Sequence, residues 1–211
     1  MRGEQSGKIR QPSVKAGIIM SEKKNRAKHL VSESIVCIKR YFDLHDATVV
    51  SINELIRIIL DRSANPGAGF DQTGELEDLL KNELTYAFTK EYEAVKSALI
   101  NLKVCLGEMK RLKGGIQEIE VSGNSAAGQP DVVHALGTFF NSAFIHFRRD
   151  YRLKKKLHGA LIYMDGACEN EINRLQLMWK ESPFLFTILH KHHVNKIIVE
   201  GRQFLQKTQR P

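Results

Sequence analysis

The first candidate for a metal site is the run His190, Lys191, His192 and His193 near the C-terminus, which contains three imidazoles. On a single helix His190 and His193 would share a face, and imidazole nitrogens at that spacing can bind zinc. Zinc needs a third and usually a fourth ligand, and neither histidine has an Asp or Glu three or four residues away. We therefore interpret the cluster as a polar helix surface and expect no metal.

Cys168 is the candidate nucleophile, because it follows Gly166 near a predicted helix start, where a thiol pKa is lowered. His158 lies ten residues earlier, and nothing in the pattern brings it within reach. We favour the interpretation that Cys168 is not a nucleophile but a small residue that closes a helix junction. Cys37, Cys105 and Cys168 are widely spaced and fall within or beside apolar helical pattern, which is typical of reduced core cysteines in an intracellular protein.

Other catalytic signatures are missing from the sequence. Neither GxxxxGK[ST] nor GxGxxG occurs, so an ATPase is not predicted. The 24 acidic residues offer many carboxylate pairs, which is no evidence for a glycosidase. We expect a chain with no catalytic residue and no cofactor. With no secretory signal and no apolar run of about 20 residues, we expect a soluble protein of the nucleus or cytoplasm that does not span a membrane.

The strongest local feature is a basic run that accounts for much of the net charge of +8. It consists of Arg148, Arg149, Asp150, Tyr151, Arg152, Leu153, Lys154, Lys155 and Lys156. At about 100° per residue these cations would wrap most of a helix, so they must face solvent or a partner. A solvated face, an acidic protein partner and a nucleic acid remain open. Tyr151 and Tyr163 are the few nearby aromatics, which weakens single-strand recognition.

Trp179 is the single tryptophan and lies beside Met178, four residues before Pro183, which Phe184 follows. Large apolar residues around a proline-made helix end usually cap a core, and they are also preferred anchors of interfaces. A core position is favoured here, and an interface role stays open.

The elements that must position these residues are helices separated by breakers, since the five prolines lie at or between the predicted helix ends. Ser21 is a possible N-cap for a helix over residues 22 to 62, whose heptad-like seam has His45 as its one polar member. A second seam runs over residues 73 to 113, with Gly114 and Gly115 as C-cap glycines. Further helices are predicted over residues 131 to 165, 169 to 181 and 185 to 206.

The predicted fold is all-α. It is an elongated helical bundle in which two long antiparallel helices form a coiled-coil-like hairpin, packed by a third long helix and by C-terminal helices. Residues 1 to 20 are predicted to be a flexible basic tail. Residues 21 to 211 then form a single helical domain, with mobile loops near 63–72 and 116–130.

Taken in order and at their separation, the basic run and the tryptophan segment resemble the cyclin-dependent kinase 2-interacting protein family. In that family the third helix carries an aromatic, two basic residues, an acidic residue and then leucines with further basic residues, which is similar to Phe147 through Lys155. A Met-Trp pair with a proline four residues later and an aromatic next is matched by Met178, Trp179, Pro183 and Phe184. Weaker matches cover most of the chain, although Tyr41 stands where the family has a tryptophan.

The resemblance implies a nuclear, non-enzymatic adaptor. It would link S-phase kinases, of the cyclin-dependent kinase 2 and origin-firing types, during DNA replication, and support checkpoint signalling by the ATR kinase after DNA damage. It would also be a subunit of an AAA-type ATPase complex in ribosome maturation and replisome processing. A related ribosome-maturation subunit has a similar basic segment, but the Met-Trp and proline spacing favours the first family. A nucleic-acid-binding bundle is the other alternative.

The residues assigned to partner binding on this basis come from both segments. They are Phe147, Arg148, Arg149, Arg152, Lys154, Lys155, Lys156, Met178, Trp179, Pro183 and Phe184.

Overall fold

The computed structural model describes residues 14–64, 74–122, 131–164 and 168–208, with side chains over 21–62, 79–121, 132–164 and 168–208. Its regular structure is helical throughout these ranges, which confirms the all-α fold class. The helices are α1 (Val14–Ala64), α2 (Gly74–Ser122), α3 (Asp131–Leu161), α4 (Glu169–Glu181), α5 (Pro183–Lys191) and α6 (Val194–Lys207). None of the described helices has the length and apolarity to cross a bilayer.

Helices α1 and α2 pack side by side, and their paired residues fall in antiparallel order. Arg26 near the start of α1 pairs with Glu118, and the Arg40 guanidinium lies 3.4 Å from the Glu108 carboxylate. Apolar residues of both predicted seams belong to the core, and Ile38 and Leu102 have no exposed area.

Both long helices extend beyond their predicted ends. Helix α1 begins at Val14, so Ser21 is not its N-cap, and residues 1–13 of the predicted tail lie outside the described residues. Helix α2 continues through Gly114 and Gly115 to Ser122, so the C-cap prediction is wrong. The reason is that Ile116 and Ile119 are buried and carry the apolar stripe onward.

Parts of both predicted loops are helical in the structure. Residues 63 and 64 belong to α1 and residues 116 to 122 to α2, whereas 65–73 and 123–130 lie outside the described residues. The third predicted helix ends at Leu161, four residues early.

The C-terminal part forms three short helices that cover one side of α1 and α3. Helix α4 matches the prediction, but the single helix predicted over 185 to 206 is wrong. It divides into α5 and α6 at His192 and His193, where His193 takes a left-handed conformation with φ 47°. Helix α6 packs closely on α1, since a Cβ added to Gly201 would lie 2.7 Å from Cδ1 of Ile35.

Candidate partner-binding site

The basic run of α3 contains a buried ion pair that fixes which side of the helix faces inward. Lys154 and Asp150 are one helical turn apart, and the Lys154 ammonium donates to the Asp150 carboxylate. Both side chains are buried, with 1% and 0% of their areas exposed. The Ser182 hydroxyl donates to the same carboxylate oxygen, and the Lys154 ammonium lies 3.3 Å from that hydroxyl. Every charge of this pair is therefore matched inside the protein.

Tyr41 of α1 completes the network from the opposite side. Its hydroxyl lies 2.9 Å from Oδ2 of Asp150 and 3.1 Å from the carbonyl oxygen of Phe147. Burial, and next the Asp150 charge, raise the pKa of Tyr41, so the phenol stays protonated as a donor. Burial lowers the pKa of Lys154, and the adjacent Asp150 carboxylate opposes that shift. The network ties α1, α3 and the α4–α5 junction together.

Phe147, Lys154 and Trp179 therefore belong to the core, which corrects their assignment as partner-binding residues. The Phe147 ring meets Tyr41 edge-on with centroids 4.8 Å apart. The Trp179 indole donates to the Thr48 hydroxyl at 3.0 Å, and neither Phe147 nor Trp179 has any exposed area. The burial of Phe147 follows from helical phase, because it lies on the same face of α3 as the buried Asp150 and Lys154.

The other cations of the run are exposed and lie on one side of α3. At about 100° per residue they fall within a sector of about 120°, and Lys154 points away from that sector. The run therefore does not wrap the helix, contrary to the sequence-based expectation. The exposed cations are Arg148, Arg149, Arg152, Lys155 and Lys156.

Two of these arginines line a groove between α2 and α3 with a volume of about 410 Å³. Cations surround it from both helices, while the remaining surface is apolar, aromatic or glycine. Gly107 leaves it open, since an added Cβ there would meet nothing within 4 Å. The lining residues are Leu106, Gly107 and Lys110 of α2 and Phe144, Arg148, Tyr151 and Arg152 of α3. Such a groove can attract acidic groups and bury an apolar side chain at the same time.

The remaining predicted partner-binding residues do not line this groove. Arg149, Lys155 and Lys156 lie on the exposed side of α3. Pro183 is exposed at the first position of α5, while Met178 of α4 and Phe184 of α5 are half-buried. The structure thus places the basic run and the tryptophan segment in different surroundings, and the buried contact of Ser182 with Asp150 and Lys154 is one link between them.

The structure separates the residues of the histidine cluster, and Cys168 lies apart from them. His190 is exposed and packs on the Phe186 ring with centroids 4.1 Å apart, whereas His193 lies at the break between α5 and α6. His192 instead approaches His146 of α3 at 5.2 Å between centroids. Cys168 is exposed at the N-cap of α4 and makes no capping hydrogen bond with its side chain. Its prediction as a core cysteine is therefore wrong, whereas Cys37 and Cys105 are buried as predicted.

Sequence reasoning missed the α2 side of the groove, made by Leu106, Gly107 and Lys110. No local signal marks Lys110 among the other lysines of α2, because its place at the groove depends on how α2 packs against α3. Tyr41 and Ser182 were not predicted as partners of Asp150 either, since they are 109 and 32 residues away in the chain.

Neither a protein-family model nor a curated protein matches this sequence. The likeness to the cyclin-dependent kinase 2-interacting protein family therefore stands on the residues named above.

Proposed function

We propose that this protein is a non-enzymatic adaptor subunit that receives an acidic segment of a partner protein in the groove between α2 and α3. The observation that carries the proposal is the placement of three cations, Lys110, Arg148 and Arg152, around a surface that includes two aromatic side chains. Cations of this kind accelerate encounter with an acidic partner, while a buried apolar anchor slows its dissociation.

The open position at Gly107 supports a protein ligand that inserts a side chain. The half-buried rings of Phe144 and Tyr151 offer apolar contact, and the two arginines can bind carboxylates in bidentate geometry. A segment with Asp or Glu residues flanking one large apolar residue fits both properties. A surface that only faces solvent needs the charged side chains but not the apolar contact area between them.

The family resemblance provides the identity of the partners in this proposal. The adaptor would act in the nucleus, linking S-phase kinases in DNA replication and checkpoint signalling, and would join an AAA-type ATPase complex that acts in ribosome maturation and replisome processing.

Two matched charge-reversal variants test the proposal. The groove variant combines Lys110→Glu, Arg148→Glu and Arg152→Glu. The control variant combines Arg149→Glu, Lys155→Glu and Lys156→Glu, which changes the net charge equally and leaves the groove untouched. Affinity capture from nuclear extract with quantitative mass spectrometry measures the partners, and circular dichroism checks that both variants remain helical.

We expect the groove variant to lose most of a stoichiometric protein partner, with the control retaining the larger part. Equal recovery of the partner with both variants would show that the groove does not bind it. Equal loss with both would mean that charge alone attracts the partner. Tight binding of DNA or RNA by the wild type, with steep salt dependence and no captured protein, would favour the nucleic-acid alternative.

A further inference from the structure

Three side chains with metal-binding atoms meet between α1 and α2, away from the histidine cluster near the C-terminus. Cys37 comes from α1, and Cys105 and Glu108 come from α2. The two sulfur atoms and a carboxylate oxygen all lie within 4.8 Å of one another. The cysteines are buried, with 3% and 0% of their areas exposed.

The backbone positions these atoms without help from loops. Cys105 and Glu108 are three residues apart and so share one face of α2, and Cys37 approaches that face from the antiparallel helix. The Cys37 thiol donates to the Cys105 carbonyl at 3.5 Å, which holds its sulfur toward α2. The Glu108 side chain is 37% exposed, so the cluster has an opening to solvent.

We propose that Cys37, Cys105 and Glu108 form a zinc site that joins α1 to α2. Thiolates exclude magnesium and calcium, which prefer oxygen ligands, and the carboxylate makes the set less suited to Cu(I), which prefers sulfur throughout. Two thiolates, one carboxylate and a water molecule are a ligand set that tetrahedral Zn²⁺ accepts.

The distances are compatible with closure around the ion. At a Zn–S distance of about 2.3 Å, two sulfurs of a tetrahedral site are about 3.8 Å apart. The ligand atoms need movements of no more than about 1 Å, which side-chain rotation provides. Two thiolates and a carboxylate leave one negative charge on the zinc-bound site. The guanidinium of Arg40, 3.4 Å from the Glu108 carboxylate, balances it as a neighbouring cation.

The test uses the reduced full-length chain and zinc itself. After loading with Zn²⁺ and gel filtration, elemental mass spectrometry should find about one zinc per chain. Cys37→Ser with Cys105→Ser should abolish retention, and Glu108→Gln should weaken the apparent affinity at least tenfold. Cys168→Ser is the matched control, because Cys168 is an exposed thiol outside the cluster, and it should retain the metal fully.

A second measurement on the wild type makes the result independent of how the variants fold. Co²⁺ bound at this site should show tetrahedral absorption bands together with thiolate-to-cobalt charge transfer. No retained zinc, retention in the double cysteine variant, or a cobalt spectrum without thiolate charge transfer would each overturn the zinc site. Zinc bound to both thiolates should slow their oxidation to a disulfide. A Cys37–Cys105 disulfide that forms equally fast with and without zinc would therefore also overturn the zinc site.

Discussion

The Asp150–Lys154 pair shows how single residues set the orientation of α3. Transferring two charges into the interior costs several kcal/mol per ion, and the cost is recovered only when each charge is matched and hydrogen-bonded. Tyr41 and Ser182 supply those hydrogen bonds from other helices. With Lys154 held inward, Arg148 and Arg152 are directed to the groove.

Removing one member of the pair should be more damaging than removing both. Lys154→Met leaves the Asp150 carboxylate buried and unpaired, so we expect the free energy of unfolding to fall by about 3–5 kcal/mol. Asp150→Asn combined with Lys154→Met should recover a large part of the loss, because no charge is then stranded. Urea denaturation measures both.

Lys155→Met is the matched control for that experiment, since Lys155 is the exposed neighbour, and it should change stability by less than about 0.5 kcal/mol. If Lys154→Met proves as mild as Lys155→Met, the buried pair does not hold α3 in this orientation.

His45 should make stability depend on pH. Burial, and next the positive charge of Lys154, lower its pKa from the ordinary 6.5, while Asp150, Asp46 and a hydrogen bond to the Lys180 backbone oppose the shift. The unfolded chain therefore takes up the proton more readily than the folded chain. The stability that neutral His45 provides is present above about pH 6.5 and is lost as the pH falls below it.

The measurement compares the unfolding free energy at about pH 7.5 and about pH 5 for the wild type and for His45→Gln. We expect stability to drop on acidification and the variant to drop less. His146, His158 and His192 also have lowered pKa values, so part of the slope remains. An identical slope in both proteins would show that His45 does not titrate in this range.

At the scale of the helices, α2 is longer than its glycines indicate. Gly114 and Gly115 follow a lysine at the end of a regular seam, which is the usual pattern of a helix end. The helix continues because tertiary burial of Ile116 and Ile119 outweighs the weak helix propensity of the two glycines.

Gly114→Ala distinguishes these two possibilities. A helical Gly114 with nothing within 4 Å of an added Cβ should gain about 0.5–1 kcal/mol when replaced by alanine. At a C-cap, the same change would be destabilising. Gly115→Ala is the comparison, because its Cβ would lie 3.1 Å from Cδ2 of Leu30 and should gain less. Thermal denaturation that shows a loss for Gly114→Ala would restore the C-cap prediction.

The helices were predictable where their signal is local and repeated. The apolar seams of α1 and α2 and the bounds of α4 follow from three- and four-residue spacing and from breakers. The break between α5 and α6 was not predictable in the same way, because Leu189 to Ile197 contains neither proline nor glycine. That break depends on His193 adopting a left-handed backbone, which sequence periodicity does not report.

At the scale of the whole molecule, the candidate site belongs to no single segment. The α3 cations were visible in the sequence, but six similar cations gave no sign that Lys154 is inward and that Arg148 and Arg152 face a groove. Those roles depend on packing against α1, α2 and the α4–α5 junction, and Lys110 joins the site only through the contact between α2 and α3. Helical phase relative to distant residues is the information that a single sequence lacks.

The proposed binding of a protein partner in the groove between α2 and α3 can be tested by site-specific photocrosslinking. A benzophenone amino acid at Gly107 projects from a position with open space, so it should leave the fold intact. The same probe at Val50, which is 70% exposed on α1, is the control. In nuclear extract we expect a discrete protein adduct from position 107, with the crosslinked peptide lying in an acidic segment, and none of that adduct from position 50. Equal adducts from both positions, or none from position 107 under conditions where the partner is captured, would show that the partner does not bind in the groove.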